Sequence, residues 1–204
     1  MSYILILGCS YTVGWQFASL PFNTLNLSHY GGSNDRTVRV CLDQICLEPE
    51  PPLLTVISMT FAHRYQYWSE QGAIDIWGTG NTAQDPELNR ALDIYTNNRS
   101  YTAILDDLAN QIILLQSLFR ARRLPYVIYN QCNGLDPEQM DWKTQAKFDH
   151  IHQDAHTVNF FEFVANRWLY QHDVPYQDPQ LEPEYRHYDT GQFQVLEQYL
   201  LNYL

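Results

Sequence analysis

Apolar positions along the chain fall into two alternating rhythms. Tyr3 to Leu7, Leu53 to Met59 and Leu124 to Asn130 are short, nearly continuous apolar runs. Such runs, bounded by Gly or Pro and rich in β-formers, read as strands buried on both faces. Elsewhere the apolar residues recur at helical spacing. Val38, Cys41, Leu42 and Ile45 predict a helix that starts from Ser33 or Asn34 as cap and stops before Pro49. Ile104, Leu108, Ile112, Leu115 and Phe119 form the stripe of the longest helix, Ser100 to Arg123, with Ser100 as cap, Asp106 and Asp107 early and three arginines late. Phe193, Leu196, Leu200 and Tyr203 mark a last amphipathic helix after Thr190. Strand and helix in alternation predict an α/β fold, a three-layer α/β/α sandwich around a mostly parallel central sheet.

The remaining stretches carry weaker patterns. Tyr11 to Leu20 reads as a short helix ended by Pro21, residues 22–32 as turn-rich, and 138–150 and 154–171 as helical pieces ahead of a proline-punctuated loop from Asp173 to Pro183. The segment near 61–98 holds Tyr65, Tyr67, Trp68 and Trp77 among polar residues and glycines, too long for an ordinary connection. It is either a lid or binding loop inserted in the domain or a source of core-filling aromatics. With 204 residues and 45% hydrophobic content, one domain spanning 1–204 accounts for the chain.

Charge narrows the functions. A formal net charge of −11 speaks against a nucleic-acid or anionic-membrane binder. Arg120, Arg122 and Arg123 cluster, but at a helix end where they offset the macrodipole. No stretch approaches ~20 apolar residues and no basic segment precedes the first strand, so the expectation is a soluble, cytoplasmic protein. Cys9, Cys41, Cys46 and Cys132 form no CxxC pair and are expected as reduced thiols. Asp149, His150, His152, Asp154 and His156 concentrate metal-ligand types, yet without the order of a zinc peptidase; polar residues on an exposed helix explain them more simply. Gly8 to Gly14 has neither the spacing nor the Lys of a P-loop, and no Gly-x-Gly-x-x-Gly occurs, so no cofactor is expected.

Two places carry candidate chemistry. Ser10 stands just beyond the carboxyl end of the first strand, the edge where open α/β sheets bind ligands. It is either a nucleophile or a cap for the segment that follows. Far away in sequence, Glu184-Tyr-Arg-His187 precedes the last helix, and a carboxylate three residues before an imidazole can hold its Nδ1–H and leave Nε2 free as a base.

Taken together, these motifs resemble the SGNH, or GDSL-type, hydrolases. Gly8-Cys9-Ser10 is similar to that family's Gly-Asp-Ser with Cys in place of Asp. Glu184-x-x-His187 is similar to its Asp-x-x-His, and the run His187 to Phe193 is similar to the segment that leads into its final helix. The resemblance implies a serine esterase with Ser10 as nucleophile, His187 as base and Glu184 as orienting carboxylate. It further implies an oxyanion hole from the Ser10 N–H, the Gly32 N–H and a side chain after the third strand. There Thr60 falls where the family has asparagine, so that either Thr60 donates, Asn34 reaches in, or activity is low. The Gly-Cys-Ser-Tyr-Thr-x-Gly start with Gly31-x-Ser33-Asn34 also looks like a group of such proteins frequent in bacteriophage genomes, which would place the chain in a host cytoplasm or a virion. The expected partner is a small-molecule or glycan ester, with no nucleic acid or membrane; oligomeric state is not readable. The alternative is a non-catalytic module that keeps this fold and binds a glycan or protein through the 65–77 aromatics, with Trp15 and Trp142 on the same surface.

Overall fold

The computed structural model describes residues 2–69, 72–76, 89–90, 94, 98–132, 134–171 and 190–204. Four strands form the central sheet: β1 (Tyr3–Leu7), β2 (Asn23–Asn26), β3 (Leu54–Met59) and β6 (Tyr126–Asn130), in the order β2-β1-β3-β6 and all parallel. Every residue of β3 and β6 is buried, which is why those segments carry apolar runs without alternation. A hairpin of β4 (Tyr65–Ser69) and β5 (Gly72–Ile76) stands apart as a two-stranded antiparallel sheet. It occupies part of the aromatic-rich segment; most of residues 77–97 lie outside the described residues.

Two apolar cores cover the two faces of the sheet. Leu5, Leu7, Ile57, Met59 and Ile128 pack against α1 (Asn34–Leu47), α2 (Tyr101–Arg122) and α3 (Trp142–Ile151). Ile4, Ile6, Val56, Val127 and Tyr129 pack against α4 (Ala165–Gln171) and α5 (Thr190–Leu200). This alternation of inward directions along each strand makes the three layers expected from the sequence. The caps are as expected too. Ser33 Oγ accepts from the Arg36 N–H, Ser100 Oγ accepts from the Ala103 N–H, and Arg123 ends α2 in the left-handed region with φ 54°.

Four expectations are corrected. No helix spans Tyr11 to Leu20: a single 3-10 turn at Ser10–Thr12 gives way to extended chain after Gly14, whose φ is 83°. The N–H groups of Phe17, Ala18 and Ser19 bond Thr24 Oγ1 and the Glu197 carboxylate instead of helical carbonyls. Within the turn-rich 22–32 the edge strand β2 forms, too polar in Asn-Thr-Leu-Asn to show an apolar run. The helix placed at 154–171 begins only at Ala165. Upstream, Thr157 bridges Ile128 in parallel, with the Ile128 N–H on His156 O and the Val158 N–H on Ile128 O, so this stretch extends the sheet beside β6. Trp15 is not a surface aromatic: it is fully buried, stacked on Phe193 at 5.2 Å, while Trp142 lies exposed in the opposite layer.

Glu197 joins the two ends of the chain. It is fully buried, and its carboxylate accepts from Trp15 Nε1 at 2.7 Å, the Ala18 N–H at 3.0 Å, the Ser19 N–H at 2.8 Å and Ser19 Oγ at 2.6 Å. Glu197→Ala, which leaves those donors without an acceptor, is expected to destabilise the fold by about 3 kcal/mol or more, and Glu197→Gln by less, in urea unfolding followed by tryptophan fluorescence. A second buried carboxylate, Asp154, accepts from Tyr126 Oη, Arg120 and the His156 N–H. Burial works against its charge, but the hydrogen bonds and Arg120 outweigh this and hold its pKa below the usual value. Because the folded pKa is depressed, this stabilisation is present above the unfolded value, roughly pH 4, and is lost as pH falls further. Unfolding of Asp154→Asn is therefore expected to show a shallower loss of stability below about pH 4 than the wild type.

Candidate functional site

The sheet order places a switch point at β1, which has β2 on one side and β3 on the other. Connections leave these strands in opposite directions there, and the carboxyl ends of β1 and β3 frame a crevice. Gly8, Cys9 and Ser10 lie at that edge. Gly8 is required by close packing: a Cβ there would lie 2.5 Å from Thr12 Oγ1 and 2.8 Å from Ser58 Cβ. The turn is held by the Thr12 N–H and Thr12 Oγ1, both donating to Cys9 O, and by the hydrogen bond between Thr12 Oγ1 and Ser28 Oγ at 2.8 Å. Ser10 is half-buried between the buried Cys9 and Tyr11, so it is the residue of this turn with access to the crevice.

Of the other residues singled out in the sequence, three come to the same rim. Gly32 follows Gly31, whose φ is 69°, and a Cβ on Gly32 would sit 3.1 Å from His29 O and 3.3 Å from Gly8 O. The Gly32 N–H is engaged with His29 O at 3.0 Å. Asn34 is buried in the first turn of α1 and clamps the chain after β3: its Nδ2 donates to Thr60 O at 3.2 Å and its Oδ1 accepts the Thr60 N–H at 2.8 Å. Thr60 is itself fully buried, and its hydroxyl is hydrogen-bonded to the Cys9 thiol and accepts from Arg64 Nη1 at 3.4 Å. Glu184 and His187 lie outside the described residues.

Several polar groups at this edge were not apparent from the sequence. The Cys9 and Cys132 thiols are hydrogen-bonded to each other. Burial opposes ionisation of Cys9, but the contacts from Cys132, Thr60 and the Tyr11 backbone, with the charge of Arg64, outweigh it and lower its pKa to about 6. Cys132 moves the other way, raised by burial and by Cys9. The pair thus loses its first proton easily and its second with difficulty. Asn166 extends the network, donating to Cys132 Sγ at 3.6 Å, accepting from Gln131 Nε2 at 2.6 Å and bonding Tyr11. Gln131 Oε1 in turn accepts from Ser58 Oγ at 3.0 Å and Tyr129 Oη at 3.1 Å. Cys132 opens onto a cleft of about 320 Å³ between the β3 and β6 ends, with Phe61, His63, Tyr101, Ile104 and Arg167 around it. Burial and the charge of Arg64 lower the His63 pKa.

One signal for these groups was readable. Glu197 stands four residues after Phe193 and three before Leu200, on the apolar stripe of α5, where a carboxylate needs an internal partner. The histidine-rich run 149–156 resolves into separate structural roles. His152 Nε2 accepts the Phe160 N–H at 3.0 Å, His156 Nδ1 donates to Tyr203 O at 2.8 Å, and Asp154 serves Arg120 and Tyr126. Among the described residues no three His, Cys, Asp or Glu side chains converge on a metal position, and no helix is long and apolar enough to cross a membrane.

No protein-family model matches the chain, and no curated protein matches it by sequence. Among solved structures, the chain is similar to a GDSL-like lipase from Bacteroides thetaiotaomicron, with 17% identity over 100% of this chain and 89% of that one and a TM-score of 0.49. It is also similar to a putative acylhydrolase from Bacteroides fragilis, with 16% identity over 97% and 83% of the two chains and a TM-score of 0.48. A third likeness is to AlinE4, an SGNH-hydrolase family esterase, with 15% identity over 98% and 93% and a TM-score of 0.41.

Proposed function

We propose that this protein is a serine hydrolase that cleaves an ester by acyl transfer, with Ser10 as nucleophile, His187 as general base and Glu184 as the carboxylate that orients it. The observation that carries the reading is the position of Ser10: half-buried just past the carboxyl end of β1, at the switch point of a parallel sheet. His187 takes the proton as Ser10 Oγ bonds to the ester carbon. The carbonyl π electrons move to oxygen, where the Ser10 N–H and, on release from His29 O, the Gly32 N–H donate. Collapse of this intermediate breaks the ester C–O bond, His187 protonates the leaving alcohol, and water repeats the sequence on the acyl-enzyme. Asn34 and Thr60 enter as a clamp that fixes the end of β3 against α1. Aromatic walls at Phe61 and Tyr101 support an ester carried on a ring-bearing molecule such as a glycan.

The competing reading, a binding module on the same fold, is favoured by the internal engagement of the Gly32 N–H, the Asn34 amide and the Thr60 hydroxyl. A fluorophosphonate probe separates the two. Hydrolysis requires labelling at Ser10 that disappears in Ser10→Ala and falls by on the order of 10⁴-fold in His187→Ala. A wild type left unlabelled alongside a labelled active control rejects the enzyme reading. The rate on a short acyl ester is expected to fall as pH drops through the ordinary imidazole range, near ~6.5, because protonated His187 cannot accept the Ser10 proton; a flat profile from acid to neutral pH contradicts the mechanism.

A further inference from the structure

Arg64 follows the turn that leaves β3. Its guanidinium lies 4.8 Å over the Phe61 ring, its Nη1 makes one long contact to Thr60 Oγ1 at 3.4 Å, and its Nε is buried without a hydrogen-bond partner. Its charge acts on both Cys9 and Tyr11, the residues on either side of Ser10. The ion pairs among the described residues use other cations, although the chain carries 23 acidic residues against 12 Lys and Arg. A guanidinium N–H is purely a donor, and burying one unpaired is costly unless a ligand brings the acceptor. Two other buried side-chain atoms lack partners, Thr55 Oγ1 and Gln116 Oε1, but Thr55 lies at the start of β3, away from the rim, and Gln116 is in the middle of α2. Among the described residues, Arg64 Nε is thus the buried side-chain donor left unmet near the turn that holds Ser10.

We infer that Arg64 is a catalytic residue: its Nε–H donates to the oxygen that becomes negative when Ser10 attacks an ester carbonyl. This assignment rests on the serine-hydrolase reading of Ser10. In that step the Ser10 Oγ–C bond forms, the carbonyl π pair becomes a lone pair on oxygen, and the Ser10 proton passes to His187. The new charge appears on the oxygen, where a preorganised cation stabilises the transition state more than the neutral ester. The Asn34 amide and the Thr60 hydroxyl, engaged within the protein, leave this third donor position to Arg64.

The test is steady-state hydrolysis of the uncharged ester p-nitrophenyl acetate by wild type, Arg64→Gln, Arg64→Lys and Arg64→Ala, with thermal melts to confirm folding. Arg64→Gln is expected to lower kcat by on the order of 10² to 10³-fold with KM within about threefold. Arg64→Lys keeps a cation over Phe61 but lacks Nε, so a large loss of kcat is expected there too, and this variant decides the matter if Arg64→Gln fails to fold. Added methylguanidine is expected to restore part of the Arg64→Ala rate, which a purely structural role would not produce. A labelled, active wild type whose folded Arg64 variants keep kcat within about threefold overturns the assignment alone. So does a defect confined to the KM of anionic esters, which would make Arg64 a binder of substrate charge. A wild type that is neither labelled at Ser10 nor active overturns the hydrolase reading itself, and the assignment with it.

Discussion

A buried carboxylate with no cation beside it among the described residues is the constraint on which the packing of the chain's two ends depends. Glu197 sits inside the layer that covers one face of the sheet, and only hydrogen-bond donors can make that tolerable. The donors all come from Trp15, Ala18 and Ser19. To bring them there the chain must leave Ser10 by a tight turn and run extended, so that Trp15 and Phe17 go into the core while the backbone N–H groups face the carboxylate. A helix over the same residues would have engaged those N–H groups internally and left Glu197 stranded. The geometry just after Ser10 is therefore dictated from the other end of the sequence, by the helix that follows Glu184 and His187.

What the sequence could reveal depended on how many faces an element buries. β1, β3 and β6 are covered on both sides, so their apolar runs stand out, and α1 and α2 advertise themselves by stripe and cap. β2 lies at an edge and has a single apolar residue, Leu25, so that only its register against β1 makes it a strand. Of the stretch before Ala165, only His156 to Val158 pair with Ile128, a choice made by the open sheet edge beside β6, which no local pattern records. Ser10, Gly32 and Thr60 were legible as candidates because each follows a strand end. Arg64, Cys132 and Asn166 were not, because what distinguishes them is contact across separations from 34 to 155 residues, or a donor left unpaired.

The thiol at position 9 shapes the electrostatics of the rim in a definite way. A carboxylate there would hold its charge through the whole neutral and mildly acid range. At position 9 there is instead a fully buried thiol whose pKa is lowered to about 6 by its contacts to Cys132, Thr60 and the Tyr11 backbone and by the charge of Arg64, against the opposing effect of burial. Above that pH a thiolate near the guanidinium offsets part of its charge. Below it the thiolate is gone and the cation stands uncompensated, drawing negative charge more strongly but also opposing the gain of a proton by a nearby imidazole, an effect that adds to burial in lowering the His63 pKa. Two opposed effects on one edge, both traced to a single sulfur, mean that acid would alter the hold on a negative oxygen and the basicity of a neighbouring imidazole together.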